Sequence, residues 1–136
     1  ESYNANPASM AAAIGVLGQA VTGPRGRRIA VLGDMLELGP TGPELHAGLA
    51  SVLQQNAIDL VFCCGPLMRS LWEALPSNLR GGYAGTSAAL ESELANAVHA
   101  GDALMIKGSL GSKMKLIVEA LRRRFPAADA AEDLAV

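Results

Sequence analysis

Arg27-Arg28-Ile29-Ala30-Val31-Leu32-Gly33-Asp34-Met35-Leu36-Glu37-Leu38-Gly39 is the stretch on which the fold turns. Ile29 to Leu32 form a short continuous apolar run, the pattern of a strand buried on both faces, as in a parallel sheet covered by helices. The run stops at Gly33. The next residues are nearly as apolar, but glycine brackets them and Pro40 and Pro43 follow, so they read as a loop that delivers the chain to a helix beginning near Pro43.

Outward from this stretch the same alternation repeats. Upstream, Asn6 is a favoured N-cap and Pro7 suits the first helical position. A helix from Pro7 to about Gln19–Val21 then places Met10, Ala13, Ile14, Leu17 and Val21 on one face. Downstream, the helix after Pro43 buries Leu45, Leu49, Val52 and Leu53 and frays at Gln55-Asn56. Ile58 to Cys63 form the next strand, Gly65-Pro66 a turn, and Met68, Leu71, Trp72 and Leu75 a short helix ended by Pro76. Gly82-Tyr83-Ala84 is a further strand candidate, and Thr86 or Ser87 caps a helix that runs to about His99. Ala103 to Ile106 form the last clear strand. Lys107 to Ser112 make a glycine-rich loop, and Met114, Ile117, Val118 and Leu121 mark a final helix that ends at Arg122-Arg123-Arg124. The pattern predicts an α/β fold: a mostly parallel sheet with helices on both faces, three layers in all, joined by right-handed crossovers. There is no internal repeat and no second domain. The Ala-, Asp- and Glu-rich residues 126–136 are expected to form a mobile tail.

Composition narrows the class. Half of the 136 residues are hydrophobic but only 4% are aromatic, which favours helices packed on a sheet over an all-β sandwich. A formal charge of −2 gives no electrostatic reason to expect nucleic acid or an acidic membrane as partner. The basic triplet at Arg122 complements a helix C-terminus. No apolar run approaches the roughly 20 residues that span a bilayer, and no signal-peptide pattern is present. Neighbours in a strand point to opposite faces, so Cys63 and Cys64 are expected as buried free thiols, consistent with a reducing cytoplasm. The chain reads as soluble and cytoplasmic.

In open α/β sheets ligands bind outside the carboxyl ends of the strands, and three polar segments fall there. In the opening loop, Tyr3 and Asn4 offer a ring, a phenol and an amide suited to a planar ligand such as a nucleobase; a plain helix-capping loop is the alternative. With no initiator Met and a helix starting this early, the chain is expected to enter mid-domain, after a strand that has been cut away. In the second segment, Asp34 and Glu37 can accept hydrogen bonds from an ammonium group or a ribose, with capping and solvation as the alternative. His46 follows near the start of a helix, where the positive dipole end disfavours imidazolium, so a neutral histidine is expected. In the third, a lysine at a strand end, small residues and a helix start make Lys107-Gly108-Ser109 a site for a carboxylate or a phosphate. The chain has neither a Walker A segment nor a G-x-G-x-x-G. It also lacks metal-ligand spacing and any nucleophile–base arrangement, so neither catalytic residues nor metal ligands are expected in it.

Taken together, Tyr3-Asn4-Ala5-Asn6-Pro7-Ala8-Ser9-Met10, then Ala30 to Gly39 with His46 beyond it, then Gly101-Asp102 and Lys107-Gly108-Ser109 resemble the C-terminal domain of the Mur ligases, over residues 1–125. The resemblance implies a Rossmann-like fold and membership of a bacterial, cytoplasmic ligase of peptidoglycan precursor synthesis that uses ATP and Mg²⁺. It is strongest to the members that join D-alanyl-D-alanine to UDP-N-acetylmuramoyl-tripeptide. In that family the P-loop and the metal ligands belong to a central domain, so this chain is expected to be inactive alone. The resemblance also implies that Tyr3, Asn4, Asn6 and Pro7 contact ATP, and that Asp34, Glu37, His46, Lys107 and Ser109 line the side where the dipeptide enters. Lys107 would suit the dipeptide carboxylate, with a role near phosphate left open. Two departures stand out: only Glu1 remains of an acidic pair common before Ser2-Tyr3-Asn4, and Leu110 occupies a position where the family often has arginine, with Lys113 the next basic residue. The alternative reading is a free-standing nucleotide-binding or regulatory module of the same fold.

Overall fold

The structure, a computed structural model, describes residues 5–125 and the backbone of Asp133–Ala135. Along the chain come α1 (Pro7–Gly18), β1 (Arg28–Gly33), α2 (Gly42–Ala47), α3 (Leu49–Gln55) and β2 (Leu60–Cys64). They are followed by α4 (Arg69–Ala74), β3 (Arg80–Ala84), α5 (Ser87–Ala97), β4 (Ala103–Lys107), α6 (Lys115–Arg124) and β5 (Asp133–Ala135). The strands form one sheet in the order β3-β2-β1-β4-β5. The first four are parallel, with Leu32 of β1 opposite both Cys63 and Lys107, and β5 adds an antiparallel edge against β4. Of the tail expected at residues 126–136, only Asp133–Ala135 falls among the described residues, and there it is strand; the remainder lies outside them.

Alternation along the strands sorts the core into two layers. Ala30, Leu32, Cys63 and Met105 face α1, α3 and α4, where Met10, Ile14, Leu53 and Leu71 are fully buried. Ile29, Val31, Phe62, Cys64 and Ile106 face α5 and α6, against Leu90, Leu94, Ile117 and Leu121. This is the Rossmann-like three-layer α/β/α arrangement, with both cysteines free and on opposite faces. At the amino end of the sheet, Asp102 just before β4 accepts bonds from the Arg27 amide, Nε and Nη2 and from the His99 amide, tying the starts of β1 and β4 together.

Two helix expectations shift. Val21, assigned to the buried stripe of the first helix, is 91% exposed, because the helix stops at Gly18 and the chain has already turned. The helix expected from Pro43 to Gln55 is divided at Gly48 into α2 and α3, and in α2 it is His46 that points inward while Leu45 is partly exposed.

Candidate functional site at the carboxyl ends of the strands

The strand order reverses direction between β1 and β4. The chain leaves β1 toward α2 and α3 on one face and leaves β4 toward α6 on the other. The loops diverge at such a point and leave a crevice above the sheet. The two strands approach closely there: a Cβ on Gly108 would sit 2.9 Å from the Cα of Gly33, so only glycines allow the loops to start side by side.

The three sequence segments meet at this point through Ser109, which is buried. Its hydroxyl accepts the Leu36 amide at 3.0 Å and donates to the Ala5 carbonyl at 3.4 Å, while its own amide donates to the Asp34 carbonyl at 3.0 Å. One side chain thus holds the opening loop, the loop after β1 and the loop after β4. Asn6, next to Ala5, caps α1 in a capping box: its Oδ1 accepts the Ser9 amide at 2.9 Å, and Ser9 Oγ accepts the Asn6 amide at 3.0 Å. Pro7 sits at the first helical position. Asn6 remains exposed, so the part of its amide not used by the cap faces outward. Tyr3 and Asn4 lie outside the described residues.

Asp34 is buried, and its carboxylate is partly committed. Oδ1 accepts the Met68 amide at 2.8 Å and Oδ2 the Leu67 amide at 3.2 Å, at the start of α4. Gly65 adopts a φ of 109°, and a Cβ there would run into the Asp34 carboxylate, so glycine is required on both counts. Glu37 differs: it is exposed at the mouth of the loop with a φ of 64°, a left-handed conformation that a glutamate adopts only under constraint.

His46, expected among the substrate contacts, is fully buried, with both ring nitrogens in use. Nε2 accepts the Met35 amide at 2.9 Å, and Nδ1 lies 2.6 Å from the Gly42 carbonyl. An amide can only donate and a carbonyl only accept, so the proton is on Nδ1 and the ring is neutral. Lys107 is also buried. It continues the alternation of Ala103 and Met105, which puts it on the α1 face with Ala5.

On the opposite face lies a crevice of about 470 Å³ that the sequence segments only partly anticipate. Asp34 and Leu36 contribute from the loop after β1, and Ser112 and Lys113 from the loop after β4. Cys64, Gly65 and Pro66 line it from the loop after β2, and Gly85, Thr86, Ser87 and Ala88 from the start of α5. The last two groups read in the sequence as a turn and a helix cap; the rule that ligands gather at carboxyl strand ends was the signal for them. Burial holds the Cys64 thiol protonated, with the Asp34 charge adding to it, and its pKa is pushed up to about 11. Cys64 therefore presents a thiol, not a thiolate, to the crevice near neutral pH. Among the described residues no group of three His, Cys, Asp or Glu side chains could hold a metal ion. No helix among them is long and apolar enough to cross a membrane.

Comparison with known proteins agrees with this geometry. Residues 2–110 match the family model described as Mur ligase, glutamate ligase domain. The chain is 34% identical over 125 residues to the UDP-N-acetylmuramoyl-tripeptide–D-alanyl-D-alanine ligase of Bacillus subtilis, covering 89% of this chain and 27% of that protein. It is 31% identical over 123 residues to the same-named ligase of Escherichia coli, covering 90% and 26%. A MurF structure from Acinetobacter baumannii superposes with a TM-score of 0.75 at 27% identity, over 90% of this chain and 26% of that one. MurF from Thermotoga maritima in complex with ADP gives 0.71 at 25% identity, over 92% and 27%. The chain thus spans about a quarter of the length of these relatives. With its fold, its three converging loops and a family match over most of its length, the chain belongs to the Mur ligase family.

Proposed function

We propose that this chain is the domain of an ATP-dependent ligase that closes over the nucleotide and positions D-alanyl-D-alanine for addition to UDP-N-acetylmuramoyl-tripeptide, in the bacterial cytoplasm. In the complete reaction the tripeptide carboxylate takes the γ-phosphoryl group of ATP. The dipeptide amine then attacks the acyl phosphate, and phosphate leaves as the amide forms. Bringing amine and acyl phosphate together converts a bimolecular encounter into a near-intramolecular one and excludes competing water. The remainder of the ligase supplies the P-loop and the ligands of Mg²⁺, so this chain is inactive by itself.

The convergence of the opening loop, the Asp34–Glu37 loop and the Lys107–Ser109 loop on Ser109 carries this reading. The relatives' ligase names and the ADP complex of one of them support it over a free-standing regulatory module. We place the nucleotide against Tyr3, Asn4, Asn6 and Pro7, and the dipeptide against the crevice, with Asp34 and Leu36 in its lining and Glu37 exposed one residue beyond Leu36. Lys107 goes with the nucleotide, because the strand alternation turns it toward α1 and away from the crevice.

In the full-length protein, phosphate release from ATP should require both the nucleotide-linked tripeptide and D-alanyl-D-alanine; release indifferent to the dipeptide would reject the reading. Lys107→Ala should raise the Michaelis constant for ATP more than that for the dipeptide. The opposite order would return Lys107 to the dipeptide carboxylate.

A further inference from the structure

The ring of His46 is fully buried, yet it lies two backbone amides from Glu37, which is exposed just beyond the crevice-lining Leu36. Its Nε2 holds the amide of Met35 at 2.9 Å, and Ser109 Oγ holds the next amide, that of Leu36, at 3.0 Å. These successive donors are fixed by α2 and by the loop after β4. Glu37 comes next, in its left-handed conformation. A residue in that region persists only where its surroundings fix it, and here the two amides before it are pinned.

We propose that His46 is a positioning residue: its neutral, Nδ1-protonated ring fixes the Met35 amide and so presents Glu37 to the dipeptide substrate. This rests on the functional reading above. The arrangement depends on which nitrogen carries the proton. Nδ1–H is committed to the Gly42 carbonyl at 2.6 Å, which leaves Nε2 as the acceptor the loop needs. The helix thus selects the tautomer, and the tautomer sets the loop.

Two substitutions separate the halves of this device in the full-length protein. The carbonyl of Gln stands near the place of Nε2, so His46→Gln keeps an acceptor for Met35 and gives up the bond to Gly42. The amide of Asn stands near Nδ1, so His46→Asn does the reverse. Each loses one buried bond, and their melting temperatures should fall by similar amounts. His46→Asn should raise the Michaelis constant for D-alanyl-D-alanine about tenfold, the scale of one buried donor left unpaired. The constant for ATP should change little, and His46→Gln should recover most of the loss. If both variants shift every kinetic parameter in step with melting temperature, His46 is only a core residue and the proposal fails.

A second measurement is independent of turnover. With isotope-labelled histidine and methionine, a nitrogen–nitrogen coupling across the hydrogen bond should link the Met35 amide to His46 Nε2. A ring protonated at Nε2 would overturn the proposal whatever the kinetics. Dipeptide-independent turnover by the unmodified protein would reject the functional reading and with it the role of Glu37, whereas an absent coupling, read without substrate, would reject the His46–Met35 link and leave the functional reading standing.

Discussion

The carboxylate of Asp34 accepts the Met68 amide at 2.8 Å, so a residue at the end of β1 caps the start of α4, on the next crossover. Asp34→Asn replaces one acceptor oxygen by an amide that faces a backbone N–H. It should lower stability by about 1–3 kcal/mol, the range for a buried polar group left unmatched. Chemical denaturation measures the loss. Because Leu67 and Pro66 move with the capped turn, the Michaelis constant for the dipeptide should rise as well.

Glu37 offers the opposite trade. Glycine adopts a φ near 64° without the steric cost that glutamate bears. Glu37→Gly relieves a steric cost of about 1–2 kcal/mol against an unfolded-chain entropy cost of about 0.4–1 kcal/mol, so the fold should gain a few tenths to about 1 kcal/mol, while the Michaelis constant for the dipeptide rises. A denaturation curve and a substrate titration on the same variant test both halves.

Acid sensitivity should arise at the far end of the sheet. Burial opposes ionisation of Asp102, but the hydrogen bonds from the Arg27 side chain and from the His99 and Arg27 amides outweigh it and hold the carboxyl below its ordinary 3.8. A depressed folded pKa gives stability that is complete above the unfolded value and lost as pH falls through the folded one. Asp102→Asn should therefore cost about 3 kcal/mol near neutral pH, as for a broken buried ion pair. That deficit should shrink once the pH drops below 3.8. The amino end of the sheet lies opposite the site, so both Michaelis constants should stay put.

Alkali should act on the cysteines. Burial first, then the neighbouring thiol and Asp34, push Cys63 up to about 12, and burial with Asp34 pushes Cys64 up to about 11, from an ordinary 9.0. A raised folded pKa gives stability that is complete below the unfolded value and lost as pH rises toward the folded one. Unfolding free energy should begin to fall above pH 9.0, by up to about 1.4 kcal/mol per thiol per pH unit. Tyr83 is also raised, mainly by burial, but from an ordinary 10.0, so the interval between the two values isolates the thiols. A Cys63→Ala, Cys64→Ala double variant should lose that first decline.

Periodicity made the sheet legible. Ile29–Leu32, Leu60–Cys63 and Ala103–Ile106 are continuous apolar runs, and each became a buried parallel strand; the strand expected from Ile58 starts at Leu60, past the polar Asp59. It failed at Leu45 and His46, where an apolar stripe put the leucine inside. The inward place goes to the histidine because the Met35 amide, buried in the loop after β1, requires an acceptor. No hydrophobic pattern records such a need. The same limit applies to Asp34 and Ser109. Their residue types announced hydrogen bonding, and their place at strand ends announced the site, but only the fold shows that much of that capacity is spent on neighbouring backbone. Cys64 and Thr86 remained inconspicuous because each has an ordinary local role, as strand residue and helix cap.

Ser109 donates to a carbonyl 104 positions away, at Ala5, while accepting from Leu36. Contacts of such separation form only after the intervening chain has been gathered in, which is slow compared with helix and turn formation. Joining the three loops therefore carries a larger loop-closure cost than any local turn of the chain. A nucleotide bound where we propose would need Ala5, Leu36 and Ser109 to have come together first.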